Sequence, residues 1–270
     1  MARVLVCNAH ARHALAAVRS LGRAGHRITA ASAARANAGG WSRYADRRLH
    51  HPHPVRNPAG FLDTLEPELR CRDYDLLLPV NGRTVETVVG ARARFDPLAG
   101  LPFLPPDRLA VGLDERRTVR AARRVGTTHP ETLLPAEVTP GAVDGLGYPV
   151  VVKPCRGSGR DGVVVCESRA AFERTYDRVW STHGPALVRS FVPRRDERGV
   201  YTVYDEGELV ALTVQRRIRF APPVGGASTY RKTVRDPPSS PGPTGFCRRS
   251  AGTVRRWSSS GSTTTTGRRT

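Results

Sequence analysis

Apolar residues along this chain fall in short runs separated by glycine, proline and charge. Their spacing alternates between strand-like and helix-like. Ala2 to Asn8 (ARVLVCN) is a compact apolar run and predicts a strand. Ala14, Leu15, Val18 and Leu21 then recur at helical spacing, closed by Gly25, and predict a helix from Ala14 to Gly25. His26 to Ser32 (HRITAAS) predicts a second strand, so the first thirty residues read as a βαβ unit of a parallel sheet. An Asn-Pro start predicts a helix from Asn57 to Leu69. Asp73 to Gly82, apolar in its middle, predicts a strand that ends in a loop where α/β proteins place ligands. Arg83 to Ala93 reads as a helix, and the prolines from Pro102 to Pro106 mark a boundary.

The second half carries the candidate chemistry. A helix is predicted from Leu113 to Val125, opened by Asp114. Tyr148 to Glu167 (YPVVVKPCRGSGRDGVVVCE) reads as a strand over Pro149 to Val152, a lysine at its end, a loop with Gly157, Gly159 and Gly162, and a strand over Val163 to Cys166. Such glycines let successive N–H groups turn inward into a nest for an anion, and Lys153 is placed to reach the same anion. An ordinary hairpin with a solvated lysine fits the same pattern, and the loop alone does not choose between them. Arg169 to Trp180 is amphipathic, with Phe172, Tyr176, Val179 and Trp180 on one side as expected core. Ala186 to Pro193 (ALVRSFVP) reads as a strand, and the stretch TVYDEGELVALTVQRRIR reads as a hairpin turning at Glu206–Gly207.

Four stretches in order resemble the ATP-grasp superfamily, the ATP-dependent carboxylate–amine or carboxylate–thiol ligases. LDERRTVRAARRVGTTHPETLL resembles the helix and turn that precede the grasp domain. VVVKPCRGSGRDGV resembles the second lysine and the glycine loop, and ALVRSFVP is similar to the strand that holds adenine. GVYTVYDEGELVALTVQRRIRFAPPVGGASTYRKTV resembles the central strands and the substrate-side loop. The resemblance implies an α/β protein: a parallel-sheet pre-ATP-grasp domain over residues 1–106, then an incomplete α+β ATP-grasp domain over residues 107–234. It implies ATP and Mg2+ as cofactors, a small carboxylate as substrate, and an acyl phosphate attacked by an amine.

By the same resemblance Lys153, Gly157, Ser158, Gly159 and Gly162 hold the phosphates, and Arg189, Phe191 and Val192 belong to the adenine strand. Glu197 is a candidate for the ribose hydroxyls, with a surface turn as the competing reading. Arg217 and Arg219 are the expected catalytic contacts to phosphate or acyl phosphate, the planar fork of arginine suiting that role. An edge strand with solvated charges reads equally well for either one. Gly225, Gly226 and Ser228 belong to a loop that would close over the carboxylate. Two positions depart from the family pattern. Where a lysine often reaches the phosphates this chain has Glu115 or Arg116; a carboxylate there would repel them, whereas Arg116 could substitute as a cation. Where an acidic residue is usual near the adenine strand it has Arg189 and Ser190.

From Arg235 the pattern stops. Residues 235–270 are rich in Pro, Ser, Thr and Arg, without periodicity, and are expected to be a disordered tail with none of the carboxylates that hold magnesium in the family. With suitable codons for its serines and threonines, RWSSSGSTTTTG read one base earlier becomes VEFKWVDDDDG, the kind of strand the family carries at this place. A frameshift that removes the magnesium-binding end, and with it most ligase activity, is the expectation; a nucleotide-binding relative that never had a metal site is the alternative.

Composition changes this picture little. The net charge of +19 suggests nucleic acid, but all but two of the 43 basic residues are arginine, as a GC-rich gene would encode. Seven arginines against one aspartate put +6 of that charge beyond Val234. The remainder is spread without interleaved aromatics, so a dedicated nucleic-acid reader is not expected. Five scattered cysteines without a CxxC pair argue against a disulfide framework or a zinc site. HHPHP (His50 to Pro54) reads as a surface connection rather than a metal site. The first turn, CNAHARHA, lacks the GxGxxG dinucleotide fingerprint. No membrane span or signal peptide is legible, and a cytoplasmic protein is expected.

Overall fold

The computed structural model describes residues 1–157, 161–193, 197–221 and 227–235. It divides into two compact units, Met1–Pro102 and a second that begins at Phe103. No helix among the described residues is long and apolar enough to cross a membrane.

In the first unit, β1 (Arg3–Val6), β2 (Arg27–Ser32), β3 (Arg47–His50) and β4 (Leu76–Leu78) form a parallel sheet in the order β3-β2-β1-β4. Val4 pairs with Ile28 on one side and Leu76 on the other. Between β1 and β2, α1 (Arg12–Arg23) buries Ala14 and Val18 against Val4, Val6, Ile28 and Ala30. The expected βαβ unit is therefore present, and its helical spacing supplies one face of this core. α2 (Pro58–Cys71) starts where Asn-Pro predicted it: Asn57 Oδ1 accepts from Gly60 N at 2.9 Å, and Phe61, Leu65 and Leu69 form its buried stripe. α3 (Gly82–Gly90) and α4 (Arg92–Phe95) follow β4.

Two local expectations need correction, and one strand had no expectation at all. β3 carries RRLH and shows no apolar alternation, because it is an edge strand held by its ladder to β2. His51, within the supposed surface connection, is fully buried. Its Nδ1 meets Pro52 O at 2.7 Å, and its ring packs edge-on to Phe61 at 4.7 Å. β4 spans only Leu76–Leu78 of the strand expected over Asp73 to Gly82; just before it Asp75 still bonds β1, its N–H donating to Arg3 O at 2.9 Å and its Oδ2 accepting from Arg3 N at 2.7 Å, and the Tyr74 hydroxyl meets Thr29 Oγ1 at 2.7 Å.

The second unit opens with α5 (Pro106–Leu113) and α6 (Glu115–Val125). Asp114 caps α6 by accepting from Arg116 N at 2.9 Å, and Gly126 ends it in the left-handed conformation. An antiparallel sheet follows, in the order β5 (Thr132–Leu133), β8 (Ala186–Ser190), β6 (Val150–Pro154), β7 (Val164–Cys166). α7 (Pro140–Leu146) and α8 (Arg169–His183) contribute Val143, Phe172 and Val179 to a core with Val150, Val152, Ala186 and Val188. Trp180 was expected in that core but is 41% exposed. It lies one residue past the buried Val179, about 100° around the helix, and packs against Tyr176 with ring centroids 5.9 Å apart.

β9 (Arg198–Asp205), β10 (Glu208–Ala221) and β11 (Ala227–Val234) form a separate antiparallel sheet in the order β11-β10-β9. The β9–β10 turn is at Glu206 (φ 49°) and Gly207 (φ 85°), as two positive φ angles in a two-residue hairpin loop require. The mixed architecture matches the expected parallel-sheet domain followed by an α+β domain.

Candidate functional site

Strand periodicity aims Lys153 at the site. In β6 the residues Val150, Val152 and Pro154 are buried in the core, so Val151 and Lys153 take the opposite face. β8 pairs antiparallel with β6, with Val151 opposite Arg189 and Lys153 opposite Leu187. Arg189 is thus the diagonal neighbour of Lys153 on one sheet face, within reach for long side chains. The third member comes from a helix. Glu115, the first residue of α6, donates its N–H to Cys155 O at 2.8 Å, which ties that helix end to the end of β6.

The Glu115 carboxylate bridges the two cations. One oxygen meets Lys153 Nζ and the other accepts from the Arg189 guanidinium at 2.9 Å. All three side chains are between 24% and 31% exposed. Burial pushes the Glu115 carboxyl up, but the hydrogen bond and charge of Lys153, joined by Arg189, outweigh it and hold the group below its ordinary value. An open cleft of about 220 Å3 is lined by Glu115 and Lys153, though not by Arg189, together with Gly112, Leu113, Cys155, Gly157 and Asp161 among others. Burial pushes the Cys155 thiol up to about 11, so it lines the cleft as a neutral group.

Gly162 closes the glycine loop at φ 71°, and a Cβ there would stand 2.5 Å from Pro154 Cγ and 2.8 Å from His183 Cδ2. Only glycine combines that angle with that approach. Ser158 and Gly159 lie outside the described residues, as do Gly225 and Gly226. The other predicted site residues are distributed as follows. Arg116 is bidentate to its own helix cap, Asp114, at 2.6 and 3.0 Å, and does not line the cleft. Phe191 and Val192 follow β8 and are 38% and 61% exposed. Arg217 donates to Glu197 at 3.3 Å, while its buried Nε has no partner among the described residues. Arg219 pairs in register with Tyr230 on β11, and Ser228 Oγ donates to Tyr230 O at 3.2 Å. Lys153, Gly157, Gly162 and Arg189 are thus brought to one sheet face and loop, whereas Arg217, Arg219 and Ser228 belong to the sheet of β9, β10 and β11, with Glu197 just before β9.

No protein-family model matches the chain. A D-alanine–D-alanine ligase of Corynebacterium jeikeium (strain K411) is 32% identical over 126 residues, which cover 44% of this chain and 32% of that ligase. Among solved structures, the L-amino acid ligase from Bacillus licheniformis superposes with a TM-score of 0.62 at 16% identity, over 83% of this chain and 52% of that one. A biotin carboxylase from Campylobacter jejuni, solved as a β,γ-ATP complex, gives 0.67 at 15% identity, over 81% and 51%. This is an ATP-grasp fold. The chain spans about a third of the curated relative it matches and about half of these two solved structures.

The two positions read from the sequence as departures, Glu115 and Arg189, are in contact in the structure. A carboxylate stands at Glu115 and a cation at Arg189, and the two are ion-paired. No local pattern signals that pairing, because 74 positions separate the two residues. The magnesium expectation fares differently. Among the described residues no group of three or more His, Cys, Asp or Glu side chains could hold a metal ion.

Proposed function

We propose that the chain binds ATP through its polyphosphate in the cleft beside Lys153, and that it is an ATP-dependent carboxylate–amine ligase by descent. The observation that carries this reading is the placement of Lys153: at the end of β6, on the face away from the core, next to the glycine loop and within a cleft of about 220 Å3. The D-alanine–D-alanine ligase and L-amino acid ligase resemblances support a reaction that joins a carboxylate to an amine. In that reaction a carboxylate oxygen takes the γ-phosphoryl group, ADP leaves, and the amine then displaces phosphate from the acyl carbon. Lys153 contributes charge neutralisation and positioning of the phosphates, which is most of what phosphoryl transfer asks of a protein. Arg217 and Arg219 are the proposed contacts to the acyl phosphate.

With no carboxylate cluster among the described residues, the proposal is of weak nucleotide binding and little or no turnover. The same observation favours one second reading, a nucleotide-binding relative that does no chemistry. The proposal includes a frame slip near residue 235 as the origin of the aperiodic stretch that follows; sequencing the locus and its downstream frame tests that part, and an in-frame tail at the DNA level would reject it. The test of function is a thermal-shift titration with Mg-ATP on the wild type and on Lys153→Ala, with ADP release followed in parallel. A shift in the wild type that is absent in the variant is expected. Equal shifts, or salt-steep DNA retention that survives the substitution, would overturn the reading.

A further inference from the structure

Two cations from two strands converge on one carboxylate, and that carboxylate belongs to the protein. Lys153 and Arg189 share a sheet face; Glu115 reaches between them from the first turn of α6, one oxygen to each. The group is not sealed in a core, since each side chain keeps a quarter to a third of its surface exposed and Glu115 and Lys153 both line the cleft. Among the described residues no partner stands at the buried Nε of Arg189, so one carboxylate oxygen does not use all the donors of its guanidinium. An oxyanion bridging an ammonium and a guanidinium is the arrangement a phosphoryl or carboxylate ligand adopts.

We infer that Glu115 is an internal stand-in for an anionic ligand. In the free protein its carboxylate fills a subsite built by Lys153 and Arg189, and a phosphoryl group enters only when Glu115 is displaced. This rests on the polyphosphate reading of Lys153 given above, and it adds what sets the affinity. The apparent dissociation constant is the intrinsic one divided by the fraction of molecules whose subsite is free, so a free fraction of about one-tenth weakens binding about tenfold. A ligand with several negative charges outcompetes a single carboxylate, whereas a singly bridging ion such as orthophosphate gains little. The other groups facing the triad do not replace Glu115. Arg116 is held by Asp114, the Cys155 thiol is neutral, and Asp161 on the glycine loop adds a second negative charge at the cleft wall.

Calorimetric titration with sodium tripolyphosphate at low ionic strength tests this on the full chain, comparing wild type, Glu115→Gln, Glu115→Asp and the double variant Glu115→Gln/Lys153→Ala. Glu115→Gln removes the competing charge and is expected to bind about tenfold more tightly. Glu115→Asp keeps the charge but shortens the reach, so it also tightens binding and serves if the glutamine variant is too unstable to handle. The double variant is expected to lose the gain. Binding that is the same in wild type and in both Glu115 variants, but is lost in the double variant, would overturn the stand-in while leaving the nucleotide reading intact. No tripolyphosphate binding in the wild type or in either single variant would overturn both.

Discussion

Gly162→Ala gives the sharpest test of how the glycine loop is held against β6. The residue sits at φ 71°, a conformation that costs an L-residue about 1–2 kcal/mol. The new methyl carbon would also stand 2.5 Å from Pro154 Cγ and 2.8 Å from His183 Cδ2, both too close for any real contact. Neither neighbour yields easily: Pro154 is a ring at the end of a paired strand, and His183 is the last residue of α8. Relieving such overpacking costs roughly another 1–3 kcal/mol. The expected loss is therefore about 2–5 kcal/mol, which for a unit of this size lowers the melting temperature by about 5–15 °C. Because Pro154 follows Lys153, a shift of Pro154 away from the new methyl also moves the ammonium, so the Mg-ATP thermal shift should fall with the stability. Gly145→Ala is the internal control. It lies inside α7 with nothing within 4 Å of its added Cβ, and the same substitution there should stabilise by about 0.5–1 kcal/mol. Urea unfolding of both variants is the measurement. A Gly162→Ala loss below about 1 kcal/mol would refute the loop geometry.

Two further outcomes follow from the first turn of α6. Asp114→Ala removes the helix cap and the clamp on Arg116, and should cost about 1–2 kcal/mol in urea unfolding. The pH dependence has a definite sign: the Glu115 and Asp114 carboxyls both lie below their ordinary values in the folded chain, Asp114 through its hydrogen bond to Arg116. On acidification the unfolded chain takes up these protons first, so their contribution is fully present above about pH 4.5 and is lost as pH falls through the folded values. Melting temperature measured from pH 7 to pH 3 should fall on the acid side, and Glu115→Gln should flatten part of that fall.

The short-range features of this protein were legible in its residues. Apolar spacing located the βαβ start, the Asn57 and Asp114 caps marked α2 and α6, and Glu206–Gly207 marked the hairpin turn, because each of these depends on neighbours a few positions away. Lys153 at a strand end beside a glycine loop was legible for the same reason. What only the tertiary structure decided is the company Lys153 keeps. Glu115 lies 38 positions before it and Arg189 lies 74 positions beyond Glu115, and they meet through cross-strand register and the docking of a helix end. The burial of His51, the edge strand RRLH and the exposure of Trp180 were settled in the same way. Each depends on which surface a neighbouring element covers, and no local periodicity encodes that.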